Sequence, residues 1–438
     1  MRAPLLMLGL AAAPLPLAAQ ARAGPKPPTG PLTLLEAIAL GRKQGIDAVI
    51  AELDARVSEA RVGERRAALL PTVAGAANVT RQTINLDEFG FPGISGISPD
   101  FSVWRFRLGA SETLFDASAI TRLRAARDTA VAAGLDAQAV GELAGATAGL
   151  AYLGVLSARE TVAARDADSA VAADLLDQAR QLVQAGVSPA IDRTRSEVSY
   201  AAVRTQLEVS RNALDRARLD LLRTLDLPPG TELDLADSLG LGAVDIPLDP
   251  AAAARYARDH RAELRAARQR TEAARQNLKS IRFERIPSLG VSGYYQQTGP
   301  GLGNLAGTYN VQLGITVPIL DGFSRRSRVK EQESRLAAQE IRERDLGNRI
   351  ETEARQSVLD VASARQQAAI AEERLRLAEE ELSQAQQRFQ AGVAGSVETT
   401  QAQSAVIAAR DALIQARLNY GTARVRAYRA LGIIDQLR

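Results

Sequence analysis

The chain has 438 residues, 46% hydrophobic but only 4% aromatic, with a formal net charge of +3. So small a surplus, interleaved along the chain rather than clustered on one face, excludes a nucleic-acid footprint. The absence of cysteine excludes disulfides and thiolate metal centres, and the alanine-rich apolar fraction suits long, close-packed helices better than a thick core.

Residues 1–21 read as a secretory signal peptide. Arg2 supplies the positive start, 5–19 the apolar stretch and Ala19-Gln20-Ala21 a small-residue cleavage site. The apolar stretch is too short, and too interrupted by Pro14 and Pro16, to span a membrane. No cysteine stands at the cleavage site to carry a lipid anchor, and no later transmembrane helix is expected. A Pro-rich linker, 22–31, follows.

From there the chain is written twice, as repeats over 32–226 and 248–438 joined by a linker at 227–247. In the first, a helical pattern over 32–69 leads through Leu70-Pro71 into a weak strand at 71–83 and a Gly/Pro/Ser-rich loop at 84–100. A stronger strand, 101–115, puts Trp104, Phe106, Leu108, Ala110 and Leu114 on one face and Arg105, Arg107, Ser111 and Thr113 on the other. No proline then interrupts 116–185, which predicts one helix of roughly 100 Å. It ends at Gln184-Ala185-Gly186-Val187 and is followed by a helix over 189–225. Gly186 suits a left-handed helix end, Pro189 a first turn, and Ser188 a cap.

The second repeat gives a helix over 250–286, strands from Pro287 and around 308–319, a long helix over 322–391 and a last helix over 396–431. Tyr309, Val311, Leu313, Ile315, Val317 and Ile319 alternate with polar residues. The turn returns as Gln390-Ala391-Gly392-Val393, with Ser396 as a candidate cap. Both helix pairs carry a 3-4 apolar spacing. Leu375, Ala378, Leu382, Ala385 and Phe389 match Ser169, Ala172, Leu176, Ala179 and Val183. Val406 to Ala427 matches Tyr200 to Leu221. This spacing argues for coiled-coil packing.

Two readings of the strands follow from alternation alone: the apolar face packs on the helices, or it meets lipid in a barrel with the polar face on water. The leader and the aromatics near strand ends (Trp104, Tyr295, Tyr309) favour the barrel. Four strands cannot close one without open edges. Three copies would give twelve strands, and the helices likewise read as parts of a tube that one chain does not complete. The sole histidine, His260, sits in a charged helix and reads as a surface residue. No nucleophile motif, P-loop or metal-ligand spacing is present, so no catalytic, cofactor or metal site is expected.

The ordered double set of Leu32-Thr33-Leu34-Leu35-Glu36-Ala37, Leu70-Pro71 and the two Gln-Ala-Gly-Val turns resembles the TolC-type outer-membrane efflux family over the whole mature chain. The resemblance implies a mainly α fold with β: a homotrimer whose antiparallel coiled coils form a periplasmic α-barrel tunnel continuous with a 12-stranded transmembrane β-barrel. It implies the outer membrane of a Gram-negative bacterium as location. It further implies a passive exit duct, partnered by a periplasmic adaptor (membrane fusion) protein and an inner-membrane pump of the RND or ABC type.

The adaptor-contacting tips map to Gly186, Val187, Ser188, Gly392, Val393 and Ala394. The entrance or gate maps to Asp192, Arg195, Glu398 and Gln401. Trp104, Phe106, Leu108, Tyr309, Val311, Leu313 and Ile315 would face lipid. Some relatives latch the entrance with a Tyr and an Arg where this chain has Phe389 and Ala394, so a single Glu398 ring with a weaker latch is expected. Solvated first-turn carboxylates, favoured by the helix dipole, remain the plainer reading of Asp192 and Glu398. The rival function is a periplasmic structural coiled coil without a pore.

Overall fold

A computed structural model of the chain describes residues 30–89, 96–240, 249–391, 393 and 395–437. The expected signal peptide, nearly all of the linker 22–31, and parts of the loop 84–100 and of the linker 227–247 lie outside the described residues. So do Gly392 and Ala394.

Each repeat begins with two helices rather than the one expected. Helix α1 (Leu34–Gln44) opens at Thr33, whose hydroxyl accepts from the Glu36 amide while the Glu36 carboxylate accepts from the Thr33 amide, a capping box. The chain leaves the helix at Gly45 (ψ 134°) and restarts as α2 (Ile46–Ala67). After strands β1 (Thr72–Gln82) and β2 (Phe101–Phe115) come α3 (Ala117–Gln184) and α4 (Ala190–Thr224).

The second repeat has the same order: α5 (Pro250–His260), α6 (Ala262–Phe283), β3 (Ser288–Gly299), β4 (Ala306–Thr316), α7 (Ser324–Gln390) and α8 (Ser396–Leu431). Here the break falls on Arg261 (ψ 121°), which is only 3% exposed. Its guanidinium donates to Glu263 at 2.8 and 2.9 Å, to Glu353 at 3.1 Å and to the Ala430 carbonyl at 3.2 Å. These charge-assisted bonds compensate the interrupted helix. Although burial alone would raise it, the Arg261 bonds hold Glu263 below the ordinary carboxylate range. The expected single helices over 32–69 and 250–286 are therefore each two.

The long helices end within two residues of expectation. Asp116 caps α3 by accepting from the Ala119 amide at 2.9 Å. At 68 and 67 residues, α3 and α7 each run about 100 Å at ~1.5 Å per residue. The 3-4 seams are inside: Ala378, Ala385 and Phe389 of α7 are buried, as are Val406, Ala409, Leu413, Ala416, Tyr420, Ala423 and Ala427 of α8.

One stretch of α3 is long and apolar enough to pass for a membrane span, contrary to the sequence expectation, but 61% of it is buried within the molecule. The cause is position, since α3 packs on α1, α2, α4, α6 and α8. Small residues permit the closest of these approaches: a Cβ on Gly149 would sit 2.9 Å from Ile38 of α1, and one on Gly41 would sit 2.4 Å from Ala148. At mid-height Tyr152 donates to the Leu32 carbonyl at 2.8 Å and to Asp237 at 2.9 Å, tying the chain start and the inter-repeat segment to α3.

The strands form one antiparallel sheet in the order β1-β2-β3-β4, so β2 and β3 join the two repeats and β1 and β4 are its edges. The helices form a wall one helix thick. On the sheet side α2, α3, α6 and α7 lie side by side, and on the turn side α4, α3, α8 and α7 do. The α2/α4 edge thus continues into β1, and the α7 edge continues into β4.

Candidate functional site

Two features stand out: the paired turns at one end and the bare sheet at the other. At the first turn Gly186 takes φ +71°, and the Val187 amide donates to the Leu182 carbonyl at 3.0 Å and the Gly186 amide to Val183 at 3.1 Å. This is a Schellman motif, which needs a left-handed residue at that point. At the second turn the Val393 amide donates to the Arg388 carbonyl at 3.0 Å, the equivalent long bond.

Neither serine caps. The caps are Pro189 and Gly395, so Pro189 stands one position before the first turn of α4, and Ser396 is the first residue of α8. The Ser396 hydroxyl instead donates to Asp192 at 2.5 Å, linking the two turns within one chain. Asp192 is 5% exposed, with Arg195 at 3.7 Å beside it. Glu398 is paired instead with Arg388 of α7 at 2.9 Å, and its side chain is 44% exposed. Gln401 is exposed, as are Val187 and Val393, while Ser188 is half-buried. Phe389, at the latch position, is buried in the seam.

The sequence reading missed what holds the hairpins together above the turns. Asp168 of α3, 3% exposed, accepts from Arg165 at 2.9 Å and from Arg410 of α8. Arg165 in turn pairs with Asp411 of α8, and Arg410 reaches Glu379 of α7 at 3.2 Å. Burial pushes the Asp168 carboxyl above the ordinary carboxylate range against the pull of Arg410 and Arg165. No sequence signal distinguished these residues, because an Arg and an Asp three apart on a helix are ordinary surface chemistry.

On the sheet, alternation gives two faces as expected. Val73, Val79, Leu108, Tyr295, Tyr309, Val311, Leu313 and Ile315 share one face, as the register requires, and among the described residues no helix covers them. Tyr309 is 82% exposed and Val311 75%. Trp104 and Phe106 on the same face are half-buried. A soluble sheet would pack this face on the helices. Bare apolar area of this extent marks a surface with an apolar partner. The opposite face carries Asn78, Arg105, Arg107, Gln296, Thr298, Asn310 and Gln312. His260 is exposed and stacks on Tyr256, with ring centroids 3.8 Å apart. Among the described residues no group of His, Asp and Glu side chains could hold a metal ion.

Bare apolar strands beside paired helical hairpins define a channel-forming membrane protein. The sequence profile of the outer membrane efflux protein family matches residues 37–225 and 254–433, and the chain belongs to that family. It is an outer-membrane efflux protein of the TolC-like channel class, not an enzyme. It is 26% identical to Protein CyaE of Bordetella pertussis over 421 residues, covering 86% of this chain and 79% of that one. Solved structures of outer membrane channels share the fold. The Campylobacter jejuni CmeC outer membrane channel aligns with a TM-score of 0.80 at 16% identity, covering 92% of this chain and 86% of that one. The open state of the Neisseria gonorrhoeae MtrE outer membrane channel aligns with a TM-score of 0.78 at 20% identity, covering 92% and 90%.

Proposed function

We propose that three copies of this chain close into a passive exit duct: a 12-stranded barrel in the outer membrane above a helical tunnel in the periplasm. The observation that carries this reading is the pair of open lateral edges. Among the described residues strands β1 and β4 each lack one neighbour, and an unsatisfied edge in hydrocarbon is not viable. The helical edges below them are apolar and exposed in the same way. Ile46, Ile50, Leu53 and Val57 of α2, and Ile191, Val198 and Val209 of α4, line one side. Ile341, Leu359, Ile370 and Leu377 lie along α7, on the other. A head-to-tail contact of one edge on the other buries both at once and generates a ring. Trp104, Phe106, Leu108, Tyr309, Val311, Leu313 and Ile315 then face lipid.

At the other end each copy presents two turns. Gly186, Val187, Ser188, Gly392, Val393 and Ala394 would dock a periplasmic adaptor protein, which couples the duct to an inner-membrane pump of the RND or ABC type. Within that mouth Glu398, paired with Arg388 but 44% exposed, is the carboxylate that faces the axis, whereas Asp192, with Arg195 beside it, serves to join the two hairpins of one copy. Gln401 in place of a second acid leaves one ring. A pore-free periplasmic coiled coil gives the bare sheet nothing to meet.

The test is the state of the full chain in cells. The expected result is a heat-stable trimer on unboiled gels, confined to the outer-membrane fraction. A soluble monomer would reject the reading.

A further inference from the structure

The polar face of the sheet has a charge that the duct reading alone does not require. Arg105 lies in register with Asn78 on β1 and Thr298 on β3, and Arg107 with Ala76 and Gln296. Both are exposed, and neither has a carboxylate partner among the described residues. The four strands contain a single acidic residue, Glu112, which pairs with Val291 on the opposite face. The remaining strand arginine, Arg81, is also on that opposite face and donates to Asp100 at 2.6 Å. Two uncompensated guanidiniums therefore stand together on the polar face, about 7 Å apart along one strand.

One of them is held in place. The Arg107 guanidinium lies 3.7 Å above the centre of the Tyr294 ring on β3. Stacking of this kind restricts the side chain without using its hydrogen-bond donors, so the fork stays available to a ligand. Guanidinium forks match the oxygens of phosphate and carboxylate two at a time.

We infer that Arg105 and Arg107, set by Tyr294, form an anion-binding collar in the lumen of the barrel, selective for solutes that carry phosphate or carboxylate groups. The inference rests on the trimeric duct reading, under which the collar gathers six guanidiniums from three copies around one passage. Low-dielectric walls focus such a field across the lumen. The collar is opposite in sign to the Glu398 carboxylates at the far mouth, so the two ends of the duct select differently.

The test uses the full-length trimer in planar bilayers, with inorganic pyrophosphate as probe, added to either chamber in turn. Wild-type current is expected to be blocked, more strongly from the side nearer the barrel. The R105Q/R107Q double variant should weaken that block by at least about tenfold, as the loss of charge-assisted bonds requires. It should also move the reversal potential in a salt gradient toward cations. Tyr294→Leu, which leaves every charge in place, should weaken block about two- to threefold by releasing Arg107. Channels that conduct and show equal block in all three proteins would overturn the collar and leave the duct standing. A chain that neither trimerises nor conducts would overturn the duct, and the collar with it.

Discussion

The two turns begin from the same four residues and end with different chemistry. Both stand at the end of a helix of about 100 Å and share the long bond from the valine amide back to the helix, and both are followed by a carboxylate six positions after the glycine. Asp192 is buried and accepts from Ser396 of the other turn, while Glu398 keeps an exposed side chain beside Arg388. The difference comes from order in the wall. Because α3 packs on α8, the start of α4 meets the start of α8 within the chain, which buries Asp192 against Ser396 and leaves Glu398 outside that contact. Duplication supplied two equivalent acids, and intrachain packing used one of them.

The contrast breaks most severely if the hairpins are no longer held together. Asp168 lies about 27 Å from the first turn at ~1.5 Å per residue, and it is the one carboxylate that Arg165 and Arg410 share; without it Arg165 keeps only Asp411 and Arg410 only Glu379. Asp168→Ala should cost about 3 kcal/mol of stability, the low end for a broken buried pair because each arginine keeps a second carboxylate, read as a drop in the denaturant midpoint of the full chain in detergent. A loss no larger than that of a surface Asp→Ala control would mean that the cluster does not clamp α3 to α8.

Asp192→Ala comes next, at about 1–3 kcal/mol, because it leaves the Ser396 hydroxyl without its acceptor in a buried place. A double-mutant cycle with Ser396→Ala should show coupling near 1 kcal/mol, and zero coupling would separate the two turns. Gly186→Ala follows at about 1–2 kcal/mol, the left-handed penalty alone, since a Cβ there meets nothing within 4 Å. A neutral result in the same melting experiment would mean that the turn relaxes to another geometry.

The sequence exposed what is periodic or local. The ends of α3 and α7 were legible because proline, glycine and a capping aspartate mark them, and the strand faces because alternation survives in any register. The Gly45 break had a visible signal, a glycine within the helical pattern over 32–69. The Arg261 break had none, because its cause is a set of bonds to Glu353 and Ala430, far along the chain. The Asp168 cluster and the Asp192–Ser396 bond were hidden for the same reason. Each joins residues more than two hundred positions apart, and a buried charge looks like a solvated one until its partner is placed.

The smallest effect on stability belongs to Glu398 and is the most informative for function. An exposed pair such as Arg388–Glu398 contributes about 0–1 kcal/mol, so neither Glu398→Ala nor Arg388→Ala should shift the melting midpoint measurably. In bilayers the two should act in opposite directions. Three carboxylates around a narrow axis draw cations in, and the three guanidiniums beside them reduce that field. Glu398→Ala should therefore relieve block by Mg2+ added on the turn side, while Arg388→Ala should deepen it. A shared direction would assign the effect to a change in turn shape rather than charge. Unchanged block in both variants would place Glu398 away from the passage and leave it, like Asp192, a residue of the subunit and not of the gate.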